Sequence, residues 1–449
     1  MLNFDFVKKI HFIGVGGVSL SSLARFMYMK KLEVSGSDRV YSPVLENLSE
    51  LGVRVWSGFE PSFIGKPDLV VYSSAVKNSD AELSYCRASG FTCLERYEFL
   101  PYVEAMFPCT IAVSGTHGKT TVTSMCAEVM KKAELAFYAH IGGDSVTLGN
   151  CYYSGDKYFL TEACEYRKSF LALSPFVAVV LNAEFDHPDT YASIEEVYDA
   201  FDAFLFKTRK GLRIVGGDTQ YYRARQKKNN PITFGFGSEN DYVISNVSGL
   251  ENGCFGFRIT HLGMPITDIN LKVPGRHNII DAAACVAVCD GISLPPEIIK
   301  KGLEEFRGVK RRFEYVGEFF SAKVYSDYAH HPSEIEAAIK TARLIAKNRV
   351  TVVFQPHTYS RTAALKSDFS KALSAADRLI VVREYAARET ADEGTSALAL
   401  FGECVNEDKT YCGNIVDAAA CLTKKTAPGD VIVVLGAGDI NNLCSLLIS

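Results

Sequence analysis

The spacing of apolar residues changes repeatedly along this chain, and the changes mark alternating strands and helices. Residues 9–14 (KIHFIG) form a short apolar run that predicts a strand. Residues 20–31 follow with apolar Leu20, Leu23, Ala24 and Met27, a helical spacing. Residues 33–37 and 69–73 predict two more strands, the second buried on both faces. This alternation predicts a parallel sheet with helices packed on it. Residues 100–108 read as a linker.

After residue 108 an apolar strand, Ile111-Ala112-Val113, runs through a Gly-rich turn into a helix with apolar Val122, Met125, Cys126, Val129 and Met130. Strands are predicted over 157–162, 177–182 and 212–215. Residues 231–273 are rich in Gly and short alternating runs, which predict an antiparallel excursion. Residues 279–289 are almost wholly apolar and predict a buried helix. The pattern resets near residues 309–313. Pro332 suits the first position of a helix carrying Ile335, Ala338, Ile339, Ala342 and Ile345. Strands over 350–355, 378–382 and 431–436 predict a second open α/β sheet, with ligands at the carboxyl ends of its strands. The chain therefore reads as three domains: 1–107, 108–310 and 311–449. Length agrees, since 449 residues is about three times a typical domain of roughly 150.

Composition narrows the function classes. Apolar content of 47% and charged content of 22% are ordinary for a globular protein. A net charge of −4 gives no basic footprint for nucleic acid. No apolar run approaches a membrane span. The N-terminal MLNFDFVKKIHFIGVGG lacks the apolar core and small-residue cleavage site of a signal peptide. Thirteen scattered cysteines, an odd count with no C-x-x-C, predict reduced thiols in a cytoplasmic protein. Cys285 and Cys289 stand four apart on the apolar helix.

The chemistry begins at Gly115-Thr116-His117-Gly118-Lys119-Thr120-Thr121. A strand–Gly-loop–helix unit aims backbone N–H groups and a positive helix end at phosphate. Lys119 then reaches the β- and γ-phosphates, and the Thr120 hydroxyl ligates Mg²⁺. The loop is a shortened phosphate loop, because Val113 stands where a standard one has its first Gly. The chain is expected to use ATP.

A second Gly-rich turn, Gly14-Val15-Gly16-Gly17-Val18-Ser19, joins the first strand to the first helix, with Asp38 about 20 residues on. Its physical content is a diphosphate site at a helix N-terminus, which suits UDP as well as NAD. Glu162 ends a predicted strand, and Glu165, Asp186, His187 and Asp189 lie in loops after strands. Such carboxylates and a His beside a phosphate loop suit a second Mg²⁺. In Phe354-Gln355-Pro356-His357-Thr358-Tyr359-Ser360-Arg361, Arg361 could clamp a carboxylate through two parallel hydrogen bonds. His330 and His331 precede a helix and lack the further spaced ligands of a metal site.

The segments HFIGVGGVSLSSLA, VYSSAVKNSDAEL, AVSGTHGKTTVTSM, TEACEYRKSFL, LNAEFDHPDTY, VPGRHNIIDAAA, SDYAHHPSEI, VFQPHTYSRT, YAARE and VLGAGDI, in this order, resemble the Mur ligase family over essentially the whole chain. The resemblance implies an α/β fold of three domains. A Rossmann-like first domain binds a UDP-substrate, a central phosphate-loop domain binds ATP, and a Rossmann-like third domain binds the amino acid. It implies amide formation between UDP-N-acetylmuramate and L-alanine in peptidoglycan synthesis. The muramate carboxylate takes the γ-phosphoryl group of ATP, and the amine then displaces phosphate from the acyl phosphate.

Residue by residue, the resemblance implies a UDP-substrate site at Gly14, Gly16, Gly17, Asp38, Ser73 and Ser74. It implies an ATP site at Gly115, Thr116, Gly118, Lys119, Thr120 and Thr121. Asn278 is implied at adenine, with Arg312 and Asp327 reaching ATP on domain closure. Thr120 and Glu162 are implied as ligands of one Mg²⁺, and His187 as a holder of a second. His357 and Arg361 are implied to face the acyl phosphate and amino acid.

Ser19, Ser22, Asp281, Ser326 and Thr358 depart from the family pattern. Residues 195–206 carry no equivalent of the modified Lys of several relatives, which fits the L-alanine branch. A ligase that joins a recycled tripeptide to the same UDP-sugar, and a non-catalytic UDP-sugar-binding relative, are the alternatives.

Overall fold

The structure, a computed structural model, describes residues 4–208, 210–225, 230–386, 389 and 396–448. They fall into two compact units. The first comprises Met1–Ala183, Tyr198–Thr233 and Ala284–Gly302, and the second Glu184–Val197, Phe234–Ala283 and Leu303–Ser449.

The first unit holds a five-stranded sheet of β1 (Lys9–Ile13), β2 (Glu33–Asp38), β3 (Arg54–Ser57), β4 (Leu69–Tyr72) and β5 (Cys93–Glu95). Its order is β3-β2-β1-β4-β5, and every pair is parallel. The apolar strand β4 is buried at all four residues, as a parallel strand covered on both faces must be. The order reverses between β1 and β4, so the loops after them form the crevice where ligands of such sheets bind.

The segment expected as a linker, residues 100–108, is instead largely helical. Arg96–Glu104 is a helix through Pro101, and only residues 105–108 connect onward. The start signal is a capping box: the Glu95 N–H donates to Glu98 Oε2 at 2.7 Å. The buried Phe99, Leu100 and Val103 hold the rest of the helix.

The same unit continues with β6 (Cys109–Ser114), β7 (Phe137–Ser145), β8 (Gly149–Tyr153), β9 (Tyr158–Glu162), β10 (Val177–Val180) and β11 (Leu212–Gly216). These run in the order β11-β10-β6-β9-β7-β8, parallel except for β8. Between β6 and β7 lies the helix Lys119–Lys132, buried from Thr120 to Met130. In the second unit, β12 (Ile232–Gly235) pairs in parallel with β13 (Tyr242–Gly249). β13, β14 (Phe255–His261) and β15 (Met264–Asn270) form the expected antiparallel excursion. The apolar helix His277–Gly291 begins in the second unit and ends in the first, with Ile279 fully buried before Ala283 and Cys285 and Cys289 fully buried after it.

The second unit ends in a six-stranded sheet of β16 (Glu314–Phe319), β17 (Ala322–Asp327), β18 (Val350–Phe354), β19 (Arg378–Val382), β20 (Lys409–Cys412) and β21 (Val431–Leu435). The order is β16-β17-β21-β18-β19-β20, with β16 alone antiparallel. Pro332 is the first residue of the helix Pro332–Ile345, whose Ile335, Ala338, Ile339 and Ala342 are buried.

One buried histidine makes stability depend on pH. His140, on β7, is 2% exposed. Its Nδ1 lies 3.0 Å from Thr161 Oγ1 and its Nε2 2.9 Å from Ser19 Oγ. Burial, then the nearby Arg96 cation, push its pKa down from 6.5 to about 3. A base with a lowered folded pKa binds fewer protons folded than unfolded. Stability is therefore full above the ordinary value of 6.5 and is lost as pH falls towards the folded value. The slope contributed is at most about 1.4 kcal/mol per pH unit. The urea midpoint should fall between pH 7 and pH 5, and His140→Leu should flatten that fall. Equal slopes for the two proteins would show that His140 is not buried as the neutral base.

Candidate active site

Three neighbouring parallel strands of the first unit, β9, β6 and β10, end side by side. Glu162 pairs in register with Val113, and Ser114 with Val180. Their carboxyl ends thus place Glu162, the phosphate loop and Asn182 together. Gly115 has φ +144°, and a Cβ there would lie 3.0 Å from Leu181 Cβ. Gly118, at the N-cap of the loop's helix, has φ +86°. Only glycine takes both conformations at little cost.

Asn182 fastens this loop. Its backbone carbonyl accepts from the Thr116 N–H at 3.2 Å. Its Oδ1 accepts from the His117 N–H at 2.8 Å, and its Nδ2 donates to the His117 carbonyl at 3.1 Å. Sequence reasoning passed over Asn182; the available signal was a polar residue directly after an apolar strand beside the loop. Asn182→Ala removes two hydrogen bonds, each worth about 1 kcal/mol net. Its KM for ATP is expected to rise about tenfold, and an unchanged KM would show that the loop keeps its shape without the clamp.

Lys119 folds back over the loop. Its Nζ donates to the carbonyl of Gly115, to that of Thr116 at 3.1 Å and to Glu165 Oε1 at 3.1 Å. Glu165 Oε2 is 3.0 Å away, and the two side chains are 16% and 5% exposed. Burial works to lower the Lys119 pKa, but the Glu165 carboxylate, Cys164 and Glu162 together outweigh it and the pKa rises. The ammonium is therefore charged and held at the loop. Thr120 and Thr121 are buried in the first turn of the helix. Glu162 Oε1 accepts from the Gly142 N–H at 2.6 Å, which aims the carboxylate from the strand end.

In the first sheet, Gly17 is the N-cap of the helix Val18–Met29 and offers no side-chain cap. The first-turn N–H groups of that helix therefore face outward without intrahelical partners. Asp38 braces the turn: its Oδ2 accepts from the Gly16 N–H at 2.9 Å and its Oδ1 from the Arg39 N–H at 2.7 Å. Asp38 thus shapes the glycine turn through its carboxylate. The Ser73 N–H donates to the Ile13 carbonyl at 3.1 Å and its Oγ accepts from the Ala75 N–H at 3.2 Å. Ser73 and Ser74 follow β4 directly, across the crevice from Gly14.

His187, Arg361 and His357 belong to the second unit, and the phosphate loop to the first. Arg361 grips Asp186 with its fork: Nε to Oδ1 is 3.1 Å and Nη2 to Oδ2 is 3.3 Å. Both side chains are more than nine-tenths buried. The two-bond carboxylate clamp expected of Arg361 is formed with the chain's own Asp186. Burial would raise the Asp186 pKa, but His187, Arg361 and His330 hold it well below the usual carboxylate range. The Asp186 carboxylate also accepts from the His187 N–H at 2.7 Å. His187 sits at φ +56°, in the left-handed region that costs a non-glycine residue energy.

The short helix Tyr359–Ala364 that carries Arg361 is held at its start by Glu389, which accepts from the Tyr359 and Ser360 N–H groups at 2.6 and 2.9 Å. His357 stacks on Tyr385 with ring centres 5.7 Å apart and meets His330 edge-on at 6.1 Å. Burial is the main cause that pushes the His330 pKa down to about 4.

Asp327 accepts from the N–H groups of Phe313 and Ala329 at 2.8 and 2.7 Å, and burial pushes its pKa up to about 6. Arg312 lies 5.3 Å from the Tyr328 ring centre and 3.5 Å from Glu334 Oε1. Asn278 Nδ2 donates to the Pro274 carbonyl at 2.6 Å. Beside it opens a cavity of about 170 Å³ lined by Arg276, His277, Ser333, Lys340, Thr341 and Leu344. Ligand pockets usually measure about 300–1,000 Å³, so this cavity is smaller than most of them.

Known proteins give the family. Residues 9–105 match the Mur ligase family catalytic domain, residues 113–289 the Mur ligase middle domain, and residues 311–438 the Mur ligase glutamate ligase domain. A UDP-N-acetylmuramate--L-alanine ligase of Acetivibrio thermocellus is 41% identical over 441 residues, covering 96% of this chain and 94% of its own. The structure of a UDP-N-acetylmuramate-alanine ligase from Thermotoga maritima superposes with a TM-score of 0.83 at 26% identity, covering 98% of each chain. That of a murein peptide ligase from Psychrobacter arcticus gives 0.75 at 22% identity, again over 98% of each. With three family domains matched in order over almost its whole length, the chain belongs to the Mur ligase family.

Proposed function

We propose that this chain joins L-alanine to UDP-N-acetylmuramate with ATP, giving UDP-N-acetylmuramoyl-L-alanine, ADP and phosphate. The carrying observation is the near-full-length relative of that name at 41% identity. The phosphate loop with its charged Lys119 supports it. A carboxylate resists amine attack until one oxygen becomes phosphate. Lys119 stabilises charge on the transferring phosphoryl group, and the loop N–H groups orient ATP. The Gly14–Gly17 turn, with Ser73 and Ser74, receives the UDP-substrate. Asn278, Arg312 and Asp327 serve ATP, while His357 and Arg361 serve the acyl phosphate and the amino acid. The proposed domain limits are 107/108 and 310/311.

Mg²⁺ fits the donor set. The Thr120 hydroxyl and the Glu162 carboxylate are hard oxygen donors at adjacent strand and helix ends. His187 is proposed to help hold a second ion. Mg²⁺ there supplies charge neutralisation at the phosphates. No described helix is long and apolar enough to cross a membrane, and the reading places the enzyme in the cytoplasm.

The test is phosphate release with UDP-N-acetylmuramate, ATP and, separately, L-alanine, L-serine, glycine and L-Ala-γ-D-Glu-diaminopimelate. L-Alanine should give the highest kcat/KM. The similarity to a murein peptide ligase motivates the tripeptide arm, and a preference for it would replace the L-alanine reading.

A further inference from the structure

Outside the nucleotide and substrate machinery, the described residues of the first unit include a cluster of soft ligands. Cys126 lies on the helix Lys119–Lys132, whose N-terminus carries Lys119 and Thr120. Cys285 and Cys289 lie on the helix His277–Gly291. They are four residues apart, so both project from one helix face. The three sulfur atoms lie within 4.8 Å of one another, and the Cys285 and Cys289 sulfurs are 3.9 Å apart. All three residues are 0% exposed.

That spacing is compatible with three ligands around one ion. A metal–thiolate bond is about 2.3 Å. Three such bonds in a plane put the sulfurs about 4.0 Å apart. Structural zinc takes four ligands, and the group comprises three. Thiolates select soft ions, whereas Mg²⁺ and Ca²⁺ require oxygen.

We infer that Cys126, Cys285 and Cys289 form a binding site for one thiophilic metal ion of the Cu(I) class, coupling the phosphate-loop helix to the helix His277–Gly291. The site is separate from Thr120, Glu162 and His187, which offer oxygen and imidazole donors. Loading releases thiol protons to solvent, so affinity falls as pH is lowered. The ion enters by separation of the two helices, so loading is slow compared with surface thiols.

The experiment uses the full chain, reduced and oxygen-free, incubated with Cu(I) held by a chromophoric chelator. One equivalent should move to the protein, and X-ray absorption should show three sulfur neighbours and no oxygen. Cys126→Ala and Cys285→Ala should each weaken uptake by more than about tenfold. Cys86→Ala and Cys412→Ala, elsewhere in the chain, should leave it unchanged. If a cluster variant does not fold, the wild-type spectrum decides, together with a rise in Tm on adding one equivalent of Cu(I). The inference is overturned if the wild type takes no Cu(I) from the chelator. It is equally overturned if Cys126→Ala retains full uptake, or if the bound ion has fewer than three sulfur neighbours.

Discussion

Lys119→Ala is expected to lower kcat by about 10²-fold or more, the usual loss when a charged group facing a transition state is removed. It is also expected to lower stability, because Lys119 does more than wait for phosphate. The sequence alone casts it as a phosphate contact that the fold does not need. In the structure its ammonium neutralises Glu165 and donates to two loop carbonyls. Removing one member of a buried pair leaves the other charge uncompensated, at a cost of about 3 kcal/mol. The pair Lys119→Ala, Glu165→Gln separates the two effects. The second substitution removes the stranded charge, so stability should largely return while kcat stays low. Urea unfolding and single-turnover phosphate release would be measured on the same preparations. A single variant with wild-type kcat would remove Lys119 from the chemistry. Recovery of turnover in the double variant would mean that the loss came from loop collapse.

Much of this site was legible because its signals are local. Ile111-Ala112-Val113 followed by Gly115, Gly118, Lys119 and Thr120 can make few structures other than a strand, an anion-binding loop and a helix. The buried strands β4, β18 and β21 are equally plain, since burial on both faces forces continuous apolar runs. Edge strands were harder. β8 and β20 are short, mixed in polarity and only partly buried, so their formation rests on a neighbouring strand that periodicity does not reveal. The helix Arg96–Glu104 was missed because Pro101 and its apolar neighbours mimic a linker, while the Glu95–Glu98 box that starts it is a two-residue signal. The partners of the site residues were the least legible. Asn182 is 65 positions from His117, and Asp186 is 175 from Arg361. No local pattern encodes such pairs. Cys126 and the Cys285/Cys289 pair illustrate the same limit: their spacing along the chain resembles no metal motif, and only packing of two helices brings them together.

Arg361→Ala should lower kcat and raise the KM for L-alanine, with the KM for ATP little altered. Arg361→Lys should already be impaired, because an ammonium cannot reproduce the planar fork that meets both oxygens of a carboxylate. The structure adds a sharper expectation. The fork is closed on Asp186, whose carboxylate also takes the N–H of the strained His187. Arg361 therefore braces the loop that carries His187, in addition to its proposed role at the amino acid. Asp186→Asn should reproduce part of the loss, and the two substitutions together should cost much less than their sum. A buried pair of this geometry should show a coupling energy of about 2 kcal/mol or more in a double-mutant cycle. The cycle would be run twice, once on kcat/KM for L-alanine and once on urea unfolding. Coupling in both would show that the pair holds the loop and that the loop sets the rate. Coupling in stability alone would assign the clamp to folding and leave catalysis to His357. Strict additivity in both would mean that Arg361 releases Asp186 in the working enzyme and meets the substrate by itself. A main loss in ATP affinity would instead make Arg361 a nucleotide residue and remove it from the amino-acid site.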